Sequence, residues 1–185
     1  VGSEMCIRDR YRIKELYGCT GRPNEGLRID PVEQAKRIRE AEQNDPLLRG
    51  RVIHGVADPA IFDESRGESI ADMQEKSPNF LHWMPGDHTR LAGKMQFHYR
   101  LHFDEEGRPM LQVFHTCKHF IRTIPNLVYD ESNVEDIDTR QEDHIYDECR
   151  YVLMENPISP PRQIAGPTVR DDPLELHGRA RFLRV

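Results

Sequence analysis

Residues 134–151 read VEDIDTRQEDHIYDECRY, a stretch in which acidic residues are followed by apolar residues at helical spacing. Thr139 and Glu142, three positions apart, have the spacing of a capping box, in which the two side chains satisfy backbone N–H groups of the first turn. The sequence therefore predicts a helix that begins near Arg140 and continues to about Met154.

Three polar side chains lie on one face of this predicted helix, namely Asp143, His144 and Asp147. Two aspartates at this spacing repel each other unless a positive group lies between them. A divalent cation would offset that repulsion, so the pattern indicates a metal site. Asp147→Asn should then leave the fold intact, because it removes one of the two repelling charges. The alternative is an acidic first turn that complements the helix macrodipole, which explains Asp143 without any ligand.

Composition limits the classes of protein to consider. The 185 residues suffice for one domain with a core, and 37% hydrophobic with 31% charged residues is typical of a water-soluble domain. The chain has no apolar run long enough to cross a membrane, no signal peptide and no C-x-x-C pair among its four cysteines. A net charge of -6 argues against a broad DNA-binding face, although carboxylates can hold cations that contact phosphate.

Strands and helices alternate along the chain, which predicts an α/β sheet that is at least partly parallel. Asp30 and Pro31 form a helix start, and Ser69 with Asp72 forms another. Strands are predicted at 12–17, 51–57, 81–84 and 111–116, and helices from 31 to about 44, from 69, over 87–102 and over 118–124.

Several motifs in this order resemble the nuclease domain of the terminase large subunits of tailed phages. The likeness covers about residues 11–176, and it is specific because many motifs keep their order and spacing. Besides the closing stretch, the motifs are GVADPA at 55–60, SIADM at 69–73, RLAGK at 90–94, PMLQVF at 109–114 and IRTIP at 121–125.

The resemblance implies a ribonuclease H-like α/β nuclease domain, in which helices flank a mixed sheet. It assigns residues 11–156 to this domain and implies that the first strands, with one acidic residue, are missing. Residues 1–10 do not fit the family and resemble the translation of a sequencing adapter, so we interpret them as a non-native leader. Residues 157–185 form a proline-rich tail that we expect to be disordered.

The resemblance also implies a two-ion site for Mg²⁺ or Mn²⁺. Asp58 and Asp147 would act as catalytic metal ligands, with Asp143 as a further ligand and His144 as a catalytic residue that binds metal or orients water. Hard oxygen ligands favour these cations over zinc. Asp58 followed by proline is also a common turn, which is the simpler explanation of that residue.

Arg90 and Lys94 share a helical face and could follow a phosphate backbone. The simpler explanation is a solvated charged face, which is equally compatible with the sequence.

The function that the resemblance implies is metal-dependent cleavage of concatemeric DNA during viral genome packaging. The implied partners are double-stranded viral DNA, the portal protein, the small terminase subunit and an ATPase domain upstream, with no membrane. The implied location is the host cytoplasm and, transiently, the procapsid portal. Two alternatives remain open, a non-catalytic docking module of the packaging motor and a related resolvase-like nuclease. A chain without its first strands should be inactive alone.

Overall fold

The computed structural model describes residues 9–22, 24–104 and 106–159, and these form an α/β structure. Its strands are β1 (Arg10–Arg12), β2 (Gly55–Ala57), β3 (Trp83–Pro85) and β4 (Leu111–Val113). Its α-helices are α1 (Pro31–Asn44), α2 (Ile70–Lys76), α3 (Arg90–Leu101), α4 (Lys118–Thr123) and α5 (His144–Met154), with 3₁₀ turns at Pro59–Phe62 and Ile124–Asn126. The predicted α/β class is thereby confirmed.

The described strands form two separate parallel pairs. β1 pairs with β4, placing Arg10 opposite Leu111, and β2 pairs with β3, placing Gly55 opposite Trp83. The expectation of one mixed sheet is therefore corrected, because no described strand lies between β1 and β2 to join the pairs. The parallel direction agrees with the prediction.

The strands are shorter than the sequence predicts. The first one was expected at 12–17 but ends at Arg12, and Glu15 in the segment after it contacts the start of α4. The Glu15 carboxylate accepts hydrogen bonds from the backbone N–H groups of His119 and Phe120, at 2.9 and 2.8 Å. This contact caps the first turn of α4.

Two predicted helix starts are confirmed. The Asp30 carboxylate accepts the backbone N–H of Val32 at 2.8 Å, with Pro31 as the first residue of α1. The Ser69 hydroxyl accepts the backbone N–H of Asp72 at 3.1 Å and begins α2. Both caps act over two or three residues, which is why the local sequence identifies them.

The core lies between α5 and the elements packed around it. Phe97 of α3 stacks on Tyr146 of α5, with ring centroids 5.0 Å apart. Burial of apolar side chains on several elements stabilises this arrangement through the hydrophobic effect. The buried cluster comprises Phe97, Leu111, Cys117, Phe120, Ile137, Ile145, Tyr146, Cys149 and Leu153.

The predicted start of α5 near Arg140 is wrong, since the helix begins at His144. Residues 138–142 instead form turns with partners of their own. The Asp138 carboxylate accepts a hydrogen bond from the backbone N–H of Arg140 at 2.9 Å. The side-chain amide of Gln141 accepts from the backbone N–H of Val128 and donates to its backbone oxygen. The predicted capping box therefore does not form.

Glu142 joins three separate parts of the fold. Its carboxylate accepts the hydroxyl of Tyr17 at 2.6 Å and both terminal nitrogens of Arg122 at 2.7 Å. Arg122 lies on α4, and Tyr17 lies in the segment after β1. The hydrogen bonds from Arg122, followed by that from Tyr17, lower the pKa of Glu142 to about 2 against the opposing effect of burial.

We expect Glu142→Gln to lower the free energy of unfolding by about 1–3 kcal/mol at pH 7. The folded-state pKa of Glu142 lies below its reference value of 4.5, so the ionised group stabilises the fold above that pH. This contribution is lost as the pH falls from 4.5 towards 2, and the gap between wild type and variant should narrow accordingly. Urea unfolding at pH 7, 5 and 3 measures this difference in the free energy of unfolding. The control is Glu131→Gln, a substitution at an exposed residue. A difference that does not change with pH would contradict the assignment.

The ends of the described chain shift two predicted boundaries. Arg10, the last residue of the expected leader, is the first residue of β1. Ile158, inside the expected tail, is buried and exchanges two hydrogen bonds with the side chain of Gln96. The rest of the leader and tail, residues 1–8 and 160–185, lies outside the described residues. Within the described ranges, no helix has the length and apolar character needed to cross a membrane.

Candidate functional site

Asp58 and Asp147 face the same open cavity, which has a volume of about 390 Å³. Asp58 follows β2 directly, and Asp147 lies in the first turn of α5. A strand end and a helix start therefore bring together two carboxylates that are distant in sequence. His88, Arg90, Arg150 and Tyr151 also line this cavity.

Both oxygens of Asp58 accept hydrogen bonds. Oδ1 accepts the backbone N–H of Ala60 at 2.8 Å, and Oδ2 accepts the hydroxyl of Tyr151 at 2.6 Å. The hydrogen bond from Tyr151 is the main reason that the pKa of Asp58 lies below its usual value, although burial opposes it. Asp58 thus caps the 3₁₀ turn, as the simpler explanation expects, and also faces the cavity.

Asp147 is bound by arginine. Its Oδ1 accepts Nη2 of Arg150 at 2.8 Å and Nε of Arg150 at 3.2 Å, while Nη1 of Arg90 lies 3.7 Å away. Arg150 is only 1% exposed. The contacts from these arginines all reach Oδ1, and the Asp147 side chain is 25% exposed.

The structure separates the three polar residues that the sequence places on one face. The side chain of Asp143, only 7% exposed, makes no cap hydrogen bond with α5. Burial raises the pKa of the Asp143 carboxyl, and the charge on Asp147 raises it further. His144 is exposed and lines a neighbouring cavity with Asp147. In the part of the chain that the structure describes, no three His, Cys, Asp or Glu residues form a metal-ligating group.

Arg90 and Lys94 both contact the loop at 129–136. Arg90 forms a two-nitrogen ion pair with the carboxylate of Asp136. Lys94 donates to the backbone oxygen of Glu135 at 2.5 Å and lies 4.4 Å from the centroid of the Tyr129 ring. These contacts stabilise the loop, and a DNA-binding role for either residue stays a prediction.

Residues of both strand pairs line a larger cavity of about 680 Å³. Its lining includes Arg12 of β1, Val56 of β2 and residues of α1 and α5. Its lining is largely apolar, with Leu16, Ile38, Val56 and Val152 among the contributing side chains. Asp58 and Asp147 line this cavity as well, together with Glu15.

Three residues that line the cavity had no separate role in the sequence prediction, namely His88, Arg150 and Tyr151. The pairing of Asp147 with Arg150 has a local signal, because opposite charges three positions apart on a helix are neighbours. The contact between Tyr151 and Asp58 joins residues 93 positions apart, and no pattern in the sequence indicates it.

Comparison with known proteins identifies no relative. No protein-family model matches the chain, and neither a curated protein nor a solved structure shows significant similarity to it.

Proposed function

We propose that the chain is part of a metal-dependent endonuclease domain that cuts concatemeric viral DNA, as in the terminase large subunits that its motifs resemble. The observation that supports this proposal best is the cavity shared by Asp58 and Asp147. Two carboxylates from different elements, at a strand end and a helix start, are the arrangement that a nuclease of this kind needs. The finer assignment to a ribonuclease H-like fold belongs to the same proposal.

The residues present fit part of a site for Mg²⁺ or Mn²⁺. Asp58 and Asp147 supply hard oxygen atoms, and Asp143 lies one turn from Asp147 with a buried carboxylate for which the described residues provide no ion pair. Bound cations would supply activation of water and stabilisation of the leaving oxygen. His144 lies at the exposed edge of the site, where it could orient water.

Under this proposal, the substrate is double-stranded viral DNA in the host cytoplasm. The portal protein, the small terminase subunit and an upstream ATPase domain would be the partners. A resolvase-like nuclease would use the same carboxylates, and a preference for branched over linear DNA in a cleavage assay would identify it.

One observation favours a second candidate, a non-catalytic docking module. Arg150 and Arg90 already compensate the charge of Asp147, and ion pairs of this kind also occur in purely structural networks. The two candidates differ in whether removing a carboxylate affects DNA cleavage.

We expect Asp58→Asn to reduce Mn²⁺-dependent nicking of supercoiled plasmid by at least about 100-fold, because a metal ligand is lost. The assay uses a version of the chain extended upstream by the strands that the resemblance implies. Asp63→Asn is the matched control, since Asp63 also accepts a backbone N–H two residues ahead but does not line the cavity. Equal nicking by wild type and Asp58→Asn would favour the docking module.

Asp147→Asn should abolish nicking too, but the structure changes the expected effect on stability. The variant leaves the buried charge of Arg150 without its ion pair. We therefore expect destabilisation, below the about 3–5 kcal/mol found for fully buried pairs because Asp147 is partly exposed. Thermal unfolding without metal measures it, and Asp58→Asn keeps the nuclease test valid if Asp147→Asn does not fold.

The separate strand pairs lead to a further prediction, since the resemblance implies an additional strand upstream. A strand that paired with both β1 and β2, at the usual spacing of about 4.7–4.9 Å, would join the two pairs into one sheet. We expect residues 1–185 alone to associate and to cleave DNA near background, and the extended chain to be monomeric with a higher melting temperature. Light scattering and thermal unfolding test this, with a scrambled extension of equal length as the control. A monomeric 1–185 chain that cleaves DNA as efficiently as the extended chain would contradict it.

A further inference from the structure

We infer that Arg150 and Tyr151 are positioning residues, each of which fixes one of the two carboxylates that face the cavity. Tyr151 holds Asp58, and Arg150 holds Asp147. This inference rests on the proposed metal-dependent function and assigns roles to two neighbouring residues of α5.

The contact of Tyr151 with Asp58 is short and rigidly supported. The hydroxyl donates to Oδ2 of Asp58 at 2.6 Å, and the residue is only 6% exposed. A Cβ atom at Gly86 would lie 2.8 Å from the Cβ of Tyr151, so only glycine leaves room for the side chain at this point. The ring is therefore held in place, and with it the orientation of the Asp58 carboxylate.

Arg150 is supported in a similar way. Its guanidinium donates to Oδ1 of Asp147 and, at 2.8 Å, to the backbone oxygen of His88. A Cβ atom at Gly93 would lie 2.0 Å from the Cγ of Arg150, so α3 needs glycine where the arginine side chain crosses it. Two glycines thus make room for the two side chains that hold the carboxylates.

The physical cost of this arrangement argues for a role beyond packing. Glycine inside a helix costs about 1 kcal/mol relative to alanine, and a buried guanidinium carries a further desolvation penalty. Apolar side chains could fill the same volume without either cost. What the arginine and tyrosine add is a fixed direction for two carboxylates that both line the cavity.

The test compares Tyr151→Phe with Tyr146→Phe, two removals of one hydroxyl from the same helix. Tyr146 is also buried, but its hydroxyl has no hydrogen-bond partner among the described residues. We expect Tyr151→Phe to weaken Mn²⁺ binding by about 10-fold or more, since groups that orient metal ligands typically contribute this much. Tyr146→Phe should bind Mn²⁺ like wild type and be at least as stable, because it removes an unpaired buried group.

The measurements are Mn²⁺ titration of residues 1–185 by electron paramagnetic resonance and thermal unfolding without metal. In the extended chain, Tyr151→Phe should also raise the Mg²⁺ concentration for half-maximal nicking while the rate at saturating Mg²⁺ recovers. A merely structural role would instead lower the melting temperature and leave metal affinity unchanged in the folded fraction.

A second pair of variants tests Arg150. Arg150→Lys keeps the positive charge but cannot make the same two-nitrogen contact with Asp147. Gly93→Ala displaces the Arg150 side chain while Asp58 and Asp147 themselves are not substituted. Both should weaken Mn²⁺ binding, although alanine alone would favour the helix.

The outcomes separate the inference from the proposed function. Wild-type binding by Tyr151→Phe, Arg150→Lys and Gly93→Ala, in a chain that binds Mn²⁺ and nicks plasmid, would overturn the inference alone. A wild-type protein that neither binds Mn²⁺ nor, when extended upstream, nicks plasmid would overturn both.

Discussion

The buried guanidinium of Arg150 is the constraint on which the arrangement of the site depends. A charged group with five N–H donors cannot be removed from water unless acceptors meet it, and Asp147 and the backbone oxygen of His88 do so. Those acceptors belong to α5 itself and to the segment before α3. The hydrogen bond to His88 and the crossing at Gly93 therefore fix α5 to α3, while the ion pair within α5 orients a carboxylate at the cavity.

Features that depend on neighbouring residues could be predicted from the sequence. The caps at Asp30 and Ser69 involve side chains and N–H groups two or three residues apart, and both helices start where the sequence places them. The alternation of strands and helices likewise gave the α/β class and the parallel direction of the strands. The placement of Asp58 at a strand end followed from the apolar run before it, so one half of the candidate site was accessible to sequence reasoning.

Features that depend on distant residues could not be predicted. Thr139 and Glu142 have capping-box spacing, but Glu142 binds Tyr17 and Arg122 instead, since a two-nitrogen contact with a guanidinium is stronger than a bond to one backbone N–H. The division of the strands into two pairs could not be predicted for a similar reason, because pairing joins residues distant in sequence, such as Arg10 and Leu111.

The arginine contacts of Asp147 determine the free-energy cost of binding a cation to this carboxylate. If Arg90 and Arg150 occupied both oxygens, a metal ion would need to displace a buried ion pair, at a large cost in desolvation. All the contacts that the described residues make reach Oδ1, so a cation and Arg150 could bind opposite sides of one carboxylate. Burial raises the pKa of the nearby Asp143 carboxyl group, and the charge on Asp147 raises it further. Asp143 precedes Asp147 by one helical turn and is buried, so the like-charge repulsion that the sequence indicated favours the neutral form of the Asp143 carboxyl group.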